Sequence, residues 1–369
     1  MARVVTVYNT ARRIADIGDM SYIRWFKISE ELAALGHHVD MATAEYKWRL
    51  RRPVVPMGPR LRRVPLSSVR WGQYDVVKVL FHQGFETLRR YGGSEHPFLI
   101  TKLGSVVADE DRDGILFYGR IRERLFRTQR AVAAASRYVT VLTDPAEALW
   151  REMHDKPAEI LLVPGAAPTD IPPPGPDPFP AQEGLRCIFA GNIYNRATQP
   201  EANRVLVRKL NELGRLLGER GGRLYLLGSG RVTDLDPQYV HHLGSVSFEE
   251  SWSYLHHADV GVLLSAGIFM HNNESTKIYH YLRAGLPMVS ETGFPNDGVV
   301  LASGHGTVVP TDDLEAMADA AVAGPGGDPD EARDFILREH TWSARAQTYH
   351  ELLVRHFGPV TPPMRPDGP

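Results

Sequence analysis

The sequence predicts an α/β protein made of two Rossmann-like domains facing across a cleft, and three observations carry that prediction. At 369 residues the chain has the length of about two domains, each able to bury a full core. Short β-branched runs alternate with longer amphipathic stretches, the pattern of parallel strands joined by crossover helices. Eight prolines between Pro164 and Pro180 interrupt the pattern, which then starts again. The composition, 43% hydrophobic and 23% charged, excludes a disordered or collagen-like chain. No stretch approaches the ~20 uncharged apolar residues of a membrane span, and the N-terminus lacks the shape of a signal peptide, so a cytoplasmic location is expected. The single cysteine, Cys187, excludes a disulfide framework and reads as a buried strand residue.

Taken in order, Val4 to Tyr8 reads as a first strand and Ser21 to Leu35 as a helix stopped by Gly36. Strands are expected at 39–42, 76–81, 98–101, 139–142 and 160–163, with a helix at 126–135 and another opening at Pro145, where a missing N–H costs nothing. After the proline-rich segment, strands are expected at 186–190, 224–227, 242–244, 260–264 and 288–290. Helices are expected at 200–217, 248–256, 276–284 and across 332–357. The domain expectation is therefore an N-terminal domain over 1–166, a linker over 167–184 and a C-terminal domain over 185–340. A helix over 341–357 would cross back to the N-domain, and a proline-rich tail over 358–369 would be disordered.

Charge is uneven but modest. Residues 1–180 hold 26 Lys and Arg against 21 Asp and Glu, and the remainder hold 16 against 23. No recognition motif accompanies the basic residues, so no nucleic-acid partner is expected. The densest cluster, Arg49, Arg51, Arg52, Arg60, Arg62, Arg63 and Arg70, contains no acid and is interleaved with prolines. It reads as a solvated loop or, alternatively, as peripheral contact with an anionic inner-membrane surface or a lipid-linked acceptor.

In an open α/β sheet, ligands bind beyond the carboxyl ends of the strands, where helix N-termini present free N–H groups. Three such ends stand out in the second half. Gly191 and Asn192, with Arg196 beyond, follow the strand at 186–190. The Gly228-Ser229-Gly230 turn follows the strand at 224–227. The richest is 270–287, in which Glu274, Ser275, Thr276 and Lys277 enter a helix. A cation in a first turn opposes the helix dipole unless an anion binds there too, when N–H groups, hydroxyl and ammonium converge on it. His280, three residues on, shares the face of Lys277.

The run Ser275 to Ser290 resembles the nucleotide-sugar signature of GT-B glycosyltransferases, in which Ser-Lys-x-Tyr-Glu-Tyr-Leu leads to Gly-x-Pro-Val-Val. Further segments fall in the same order: Val163-Pro164-Gly165, Phe189-Ala190-Gly191, Tyr225 to Gly230, His242 to Val246, Ala258 to Val262 and Trp342-Ser343. The resemblance spans nearly all of 160–357. It implies a nucleotide diphosphate on Ser275, Thr276 and Lys277 and a base against the backbone of Gly244, Ser245 and Val246. Where many retaining members carry two glutamates, this chain has Asn272 and His280, so the usual carboxylate for the ribose is missing. That departure is similar to the xanthan-pathway glucuronosyltransferase branch and favours a UDP-sugar.

The implied activity is transfer of a hexosyl or glycuronosyl group to a hydroxyl or amine acceptor that is a small molecule, a glycan or lipid-linked, with no metal or other cofactor. An inverting transfer needs a base, for which Asp16, Asp19, His82 and Asp109 are candidates, His82 and Asp109 foremost because they follow strands. The Asp111 and Asp113 pair would instead suit the metal site of a different glycosyltransferase fold. A nucleotide-sugar epimerase of the same architecture and a non-catalytic nucleotide-sugar-binding subunit are the alternatives.

Overall fold

The computed structural model describes residues 1–8, 20–44, 54–108, 119–154, 159–181, 183–267 and 272–360. The chain divides into two compact units. Unit 1 comprises Met1–Val107, Glu123–Pro164 and Trp342–Pro369, and unit 2 comprises Ala108–Arg122 and Gly165–Thr341. Among the described residues no helix is long and apolar enough to cross a membrane. Asp16, Asp19, Asp109, Asp111, Asp113, Arg49, Arg51, Arg52 and the tail 361–369 lie outside the described residues.

Unit 1 is organised on an eight-stranded sheet. Its strands are β1 (Arg3–Tyr8), β2 (His38–Thr43), β3 (Val55–Gly58), β4 (Leu61–Pro65), β5 (Val76–Leu80), β6 (Leu99–Lys102), β7 (Tyr138–Val141) and β8 (Glu159–Leu162). The order is β3-β4-β2-β1-β5-β6-β7-β8, with β3 alone antiparallel to its neighbour. Val4, Val5, Val7, Val77, Val79, Leu99 and Val139 are buried, the near-continuous apolar run of a parallel sheet covered on both faces. Helix α1 (Met20–Ala34) contributes Tyr22, Trp25, Ile28 and Leu32 to that core. The helices α2 (Gln83–Arg90), α3 (Gly119–Ala135) and α4 (Asp144–Met153) follow. Thr143 caps α4 by accepting from the Ala146 N–H, with Pro145 in the first turn as expected.

The basic stretch departs from the loop expectation. From Val55 onward it forms the β3-β4 hairpin, because Leu61 and Val64 are buried where β4 runs beside β2. Arg62 makes a bidentate pair with Asp40 at 2.8 and 2.6 Å, and Arg60 donates to the Gly36 carbonyl at 2.6 Å. These two arginines hold the sheet edge together.

Unit 2 carries a six-stranded, wholly parallel sheet in the order β11-β10-β9-β12-β13-β14. Its strands are β9 (Leu185–Ala190), β10 (Gly222–Leu227), β11 (Val240–Gly244), β12 (Val260–Leu263), β13 (Met288–Glu291) and β14 (Gly306–Val309). The helices are α5 (Pro200–Glu219), α6 (Phe248–His257), α7 (Thr276–Ala284), α8 (Asp297–Ala302), α9 (Leu314–Ala323) and α10 (Pro329–Glu339). Cys187 is fully buried in β9, and burial pushes its thiol up to about 12, as expected for a strand residue without reactive character. The proline-rich segment packs on this unit: Phe179 is buried against Tyr225, and Arg186 pairs with Asp177 at 2.7 Å.

The helical stretch expected over 332–357 is two helices, α10 and then α11 (Trp342–Phe357). The break falls where the His340 carbonyl accepts from the Ala167 N–H at 2.9 Å and Thr341 bridges to Ala167. Helix α11 belongs to unit 1 and buries Trp342, Tyr349, Leu352 and Leu353 there.

A histidine pair joins α11 to the start of β2. His37 is fully buried, its Nδ1 accepts the Ala2 N–H at 3.3 Å, and its Nε2 lies 3.0 Å from Nδ1 of His350. Burial first, and His350 next, pull His37 down to about 4. A histidine depressed in the folded state contributes stability that is complete above the ordinary value of ~6.5 and is lost as pH falls towards 4. Urea unfolding followed by tryptophan fluorescence should therefore show a loss on the order of 2 kcal/mol between pH 7 and pH 4.5. That loss should shrink in His37→Asn; an equal loss in the variant would remove His37 as its source.

Candidate active site

The site is built at the carboxyl edge of the unit 2 sheet, where three loops are joined by backbone hydrogen bonds. The Gly191 N–H donates to the Leu227 carbonyl and the Gly228 N–H to the Gly244 carbonyl, both at 2.9 Å. The loops approach so closely that a Cβ on Gly228 would stand 2.2 Å from the Gly191 carbonyl oxygen, so only glycine fits. Asn192 closes the junction: its Oδ1 accepts from both the N–H and the hydroxyl of Ser229 at 2.8 Å.

Helix α7 begins beside this edge. Ser275 is its N-cap by position, but the hydroxyl makes no capping bond. Instead the amide of Asn296 clamps the Ser275 backbone, Oδ1 accepting from the N–H at 3.1 Å and Nδ2 donating to the carbonyl at 3.0 Å. The Ser275 Oγ is thereby left buried with no hydrogen-bond partner, a costly state for a hydroxyl. Thr276 follows, half-buried, as the first helical residue.

Lys277 reaches back over the β9 loop. Its Nζ lies 5.0 Å from the centroid of the Phe189 ring, and its Cε and Nζ would stand 2.5 and 3.0 Å from a Cβ on Gly191. Burial alone pulls the ammonium down to about 8, and among the described residues it forms no ion pair. A desolvated cation, an unpaired buried hydroxyl and a helix N-terminus thus meet at one place, which together fit an anion with several oxygens.

The other expected residues have surroundings of their own. His280 is buried against α6, 5.5 Å from the Phe248 ring and 5.3 Å from that of Trp252, so its neighbours differ from those of Lys277 despite the three-residue spacing. Glu274 is buried and accepts from the Tyr279 hydroxyl at 3.0 Å. Arg196 pairs at the surface with Asp234 at 3.1 Å. Ser245 is exposed and Val246 half-buried, just before the capping box that Ser247 and Glu250 form at the start of α6.

Unit 2 also holds a feature absent from the sequence expectations. Lys209 of α5 and Glu291 at the end of β13 form a buried ion pair with both carboxylate oxygens 2.8 Å from Nζ. The same carboxylate accepts the N–H of Ser265 at 2.5 Å and of Asp312 at 2.8 Å, tying together the loops that leave β12 and β14. A lysine on the otherwise apolar face of Leu206, Leu210 and Leu213 was the available signal for a buried partner. Asn296 had none, since it stands 21 residues from Ser275 in an irregular turn.

In unit 1, His82 follows β5 as the N-cap of α2 with φ of 46°, a left-handed value that a non-glycine residue rarely adopts. Burial, then the nearby Arg124, lowers its basicity and keeps the imidazole neutral.

Residues 184–323 match the family described as Glycosyl transferases group 1. Solved structures share the fold of this chain. Sucrose-phosphate synthase from Thermosynechococcus elongatus is 15% identical with a TM-score of 0.69, over 97% of this chain and 99% of that one. WaaG, a glycosyltransferase involved in lipopolysaccharide biosynthesis, is 14% identical with a TM-score of 0.62, over 96% of this chain and 100% of that one. An E. coli trehalose-6-phosphate structure bound with UDP-2-fluoro glucose is 11% identical, also with a TM-score of 0.62, over 98% of this chain and 100% of that one. At these identities the likeness concerns the fold, two parallel-sheet domains in one chain. No curated protein sequence matches the chain. The matched residues 184–323 include Gly191, Ser275, Lys277 and the whole Lys209–Glu291 network.

Proposed function

We propose that the protein transfers a sugar from a UDP-linked donor to a hydroxyl or amine acceptor, with the donor diphosphate held at the start of α7 by Lys277, Ser275 and Thr276. The carrying observation is Lys277, a desolvated ammonium without an ion-pair partner among the described residues, set beside the unpaired Ser275 hydroxyl. A diphosphate leaving group gathers negative charge as the glycosidic bond breaks, and a fixed cation and helix N-terminus stabilise that charge without reorganisation. The backbone of Gly244 to Val246 is our assignment for the base, and His82, neutral and strained, is our candidate to deprotonate the acceptor of an inverting transfer. Support for uridine comes from the E. coli neighbour bound with UDP-2-fluoro glucose.

Thermal unfolding with UDP, TDP and GDP, then with a panel of UDP-sugars, tests the reading. A true donor at 100 times its Kd should add about 2.7 kcal/mol of stability. Stabilisation by TDP or GDP in place of UDP would reassign the nucleotide, and none by any of them would remove the donor site. We also propose that transfer needs no metal, because Lys277 and the helix start carry the charge that a divalent ion would otherwise neutralise. Activity should then persist in EDTA. Loss in EDTA with recovery on adding manganese would move attention to Asp111 and Asp113.

A further inference from the structure

Unit 1 buries a lysine that the proposed transfer does not use. Lys78 stands at the middle of β5, between Val77 and Val79, and is 5% exposed. Among the described residues its ammonium has no carboxylate or carbonyl partner, and it stands 5.0 Å from the centroid of the Tyr349 ring. The Tyr349 hydroxyl is itself committed to Thr140, at 3.2 Å. Lys78 lines a cavity of about 20 Å³ that Arg24 and Trp25 of α1, Lys102 of β6, and Trp342 and Tyr349 of α11 also line. The Arg24 guanidinium lies 5.7 Å from the Trp342 ring. Among the described residues the lining therefore brings three cationic side chains from three elements and no acid.

A volume of this size holds one water or one ion of similar radius. Water leaves the charge of a buried ammonium uncompensated, at a cost of several kcal/mol, whereas an anion compensates it. We propose that this cavity is a binding site for a single halide-sized anion, chloride, held by Lys78. The site lies where α1, the sheet and α11 meet, so the ion fastens the final helix to the core of unit 1. Burial, and secondarily Arg24, pull Lys78 down to about 8, a shift that a bound anion reverses.

The test uses the full chain at constant ionic strength, with sodium chloride exchanged for sodium gluconate. Chloride and bromide should raise the unfolding temperature of unit 1 by a few degrees in a saturable manner and change the fluorescence of Trp25 and Trp342. Phosphate, too large for the cavity, should not substitute. In gluconate, Lys78→Met should unfold at a higher temperature than the native chain and should have lost the chloride response. Crystals grown with bromide should show an anomalous peak beside Lys78, a readout that stands even if the variant fails to fold. The same unfolding temperature in chloride and gluconate, or a chloride response that survives Lys78→Met, would overturn the proposal.

Discussion

Replacing Glu291 with leucine is expected to destabilise unit 2 by about 3–5 kcal/mol, the usual cost of breaking a buried ion pair from one side. Lys209 would keep its charge in a site where it is 1% exposed, and the N–H groups of Ser265 and Asp312 would lose their acceptor. The double variant Lys209→Met, Glu291→Leu should recover part of that loss, since the stranded charge is gone. It should not recover all of it, because the two N–H groups remain unpaired. Urea unfolding of native, single and double variants measures the coupling directly. A single variant within 1 kcal/mol of the native chain would mean that Lys209 escapes to Asp312, which already lies 3.2 Å from it.

Lys277→Ala should weaken UDP binding by about 1.5–3 kcal/mol, or roughly ten- to hundred-fold, with the fold intact. Two controls separate charge from packing. Gly191→Ala keeps the ammonium but puts a Cβ 2.5 Å from its Cε, so the side chain must move and affinity should fall by a similar factor. In the native protein, affinity should also decline as pH rises above about 8, where the free Lys277 loses its proton and the diphosphate must bind a neutral amine or pay for protonating it. Calorimetric titration across pH 7 to 9.5 checks this slope. An unchanged Kd in both variants would take Lys277 out of the phosphate site.

The fold was legible where burial is two-sided. Val4 to Tyr8, Val76 to Phe81 and Arg186 to Ala190 read as strands because a parallel sheet covered on both faces demands unbroken apolar runs. The β3-β4 hairpin was hidden by Arg60, Arg62 and Arg63, whose charges mask the buried Leu61 and Val64 between them. Within the site, the sequence pointed to Ser275 and Lys277 because a first-turn cation conflicts with the helix dipole and so asks for an anion. The spacing that groups His280 with Lys277 does not reveal that the imidazole stands against Phe248 and Trp252, because helical spacing sets direction but not what α6 presents on that side. Long-range partners such as Asn296 for Ser275 leave no local trace at all.

Unit 1 is not continuous in the chain, and this bears on how the molecule is made. Helix α11, which supplies Tyr349, Leu352, Leu353 and the His350 partner of His37, is encoded after all of unit 2. As the chain leaves the ribosome, the first 164 residues must wait, with the flank of α1 uncovered, until the last helix emerges, while the sheet of unit 2 can close first. The N-terminal unit is thus the later one to finish. Truncation shortly before Trp342 would strip apolar cover from the beginning of the polypeptide rather than from its end.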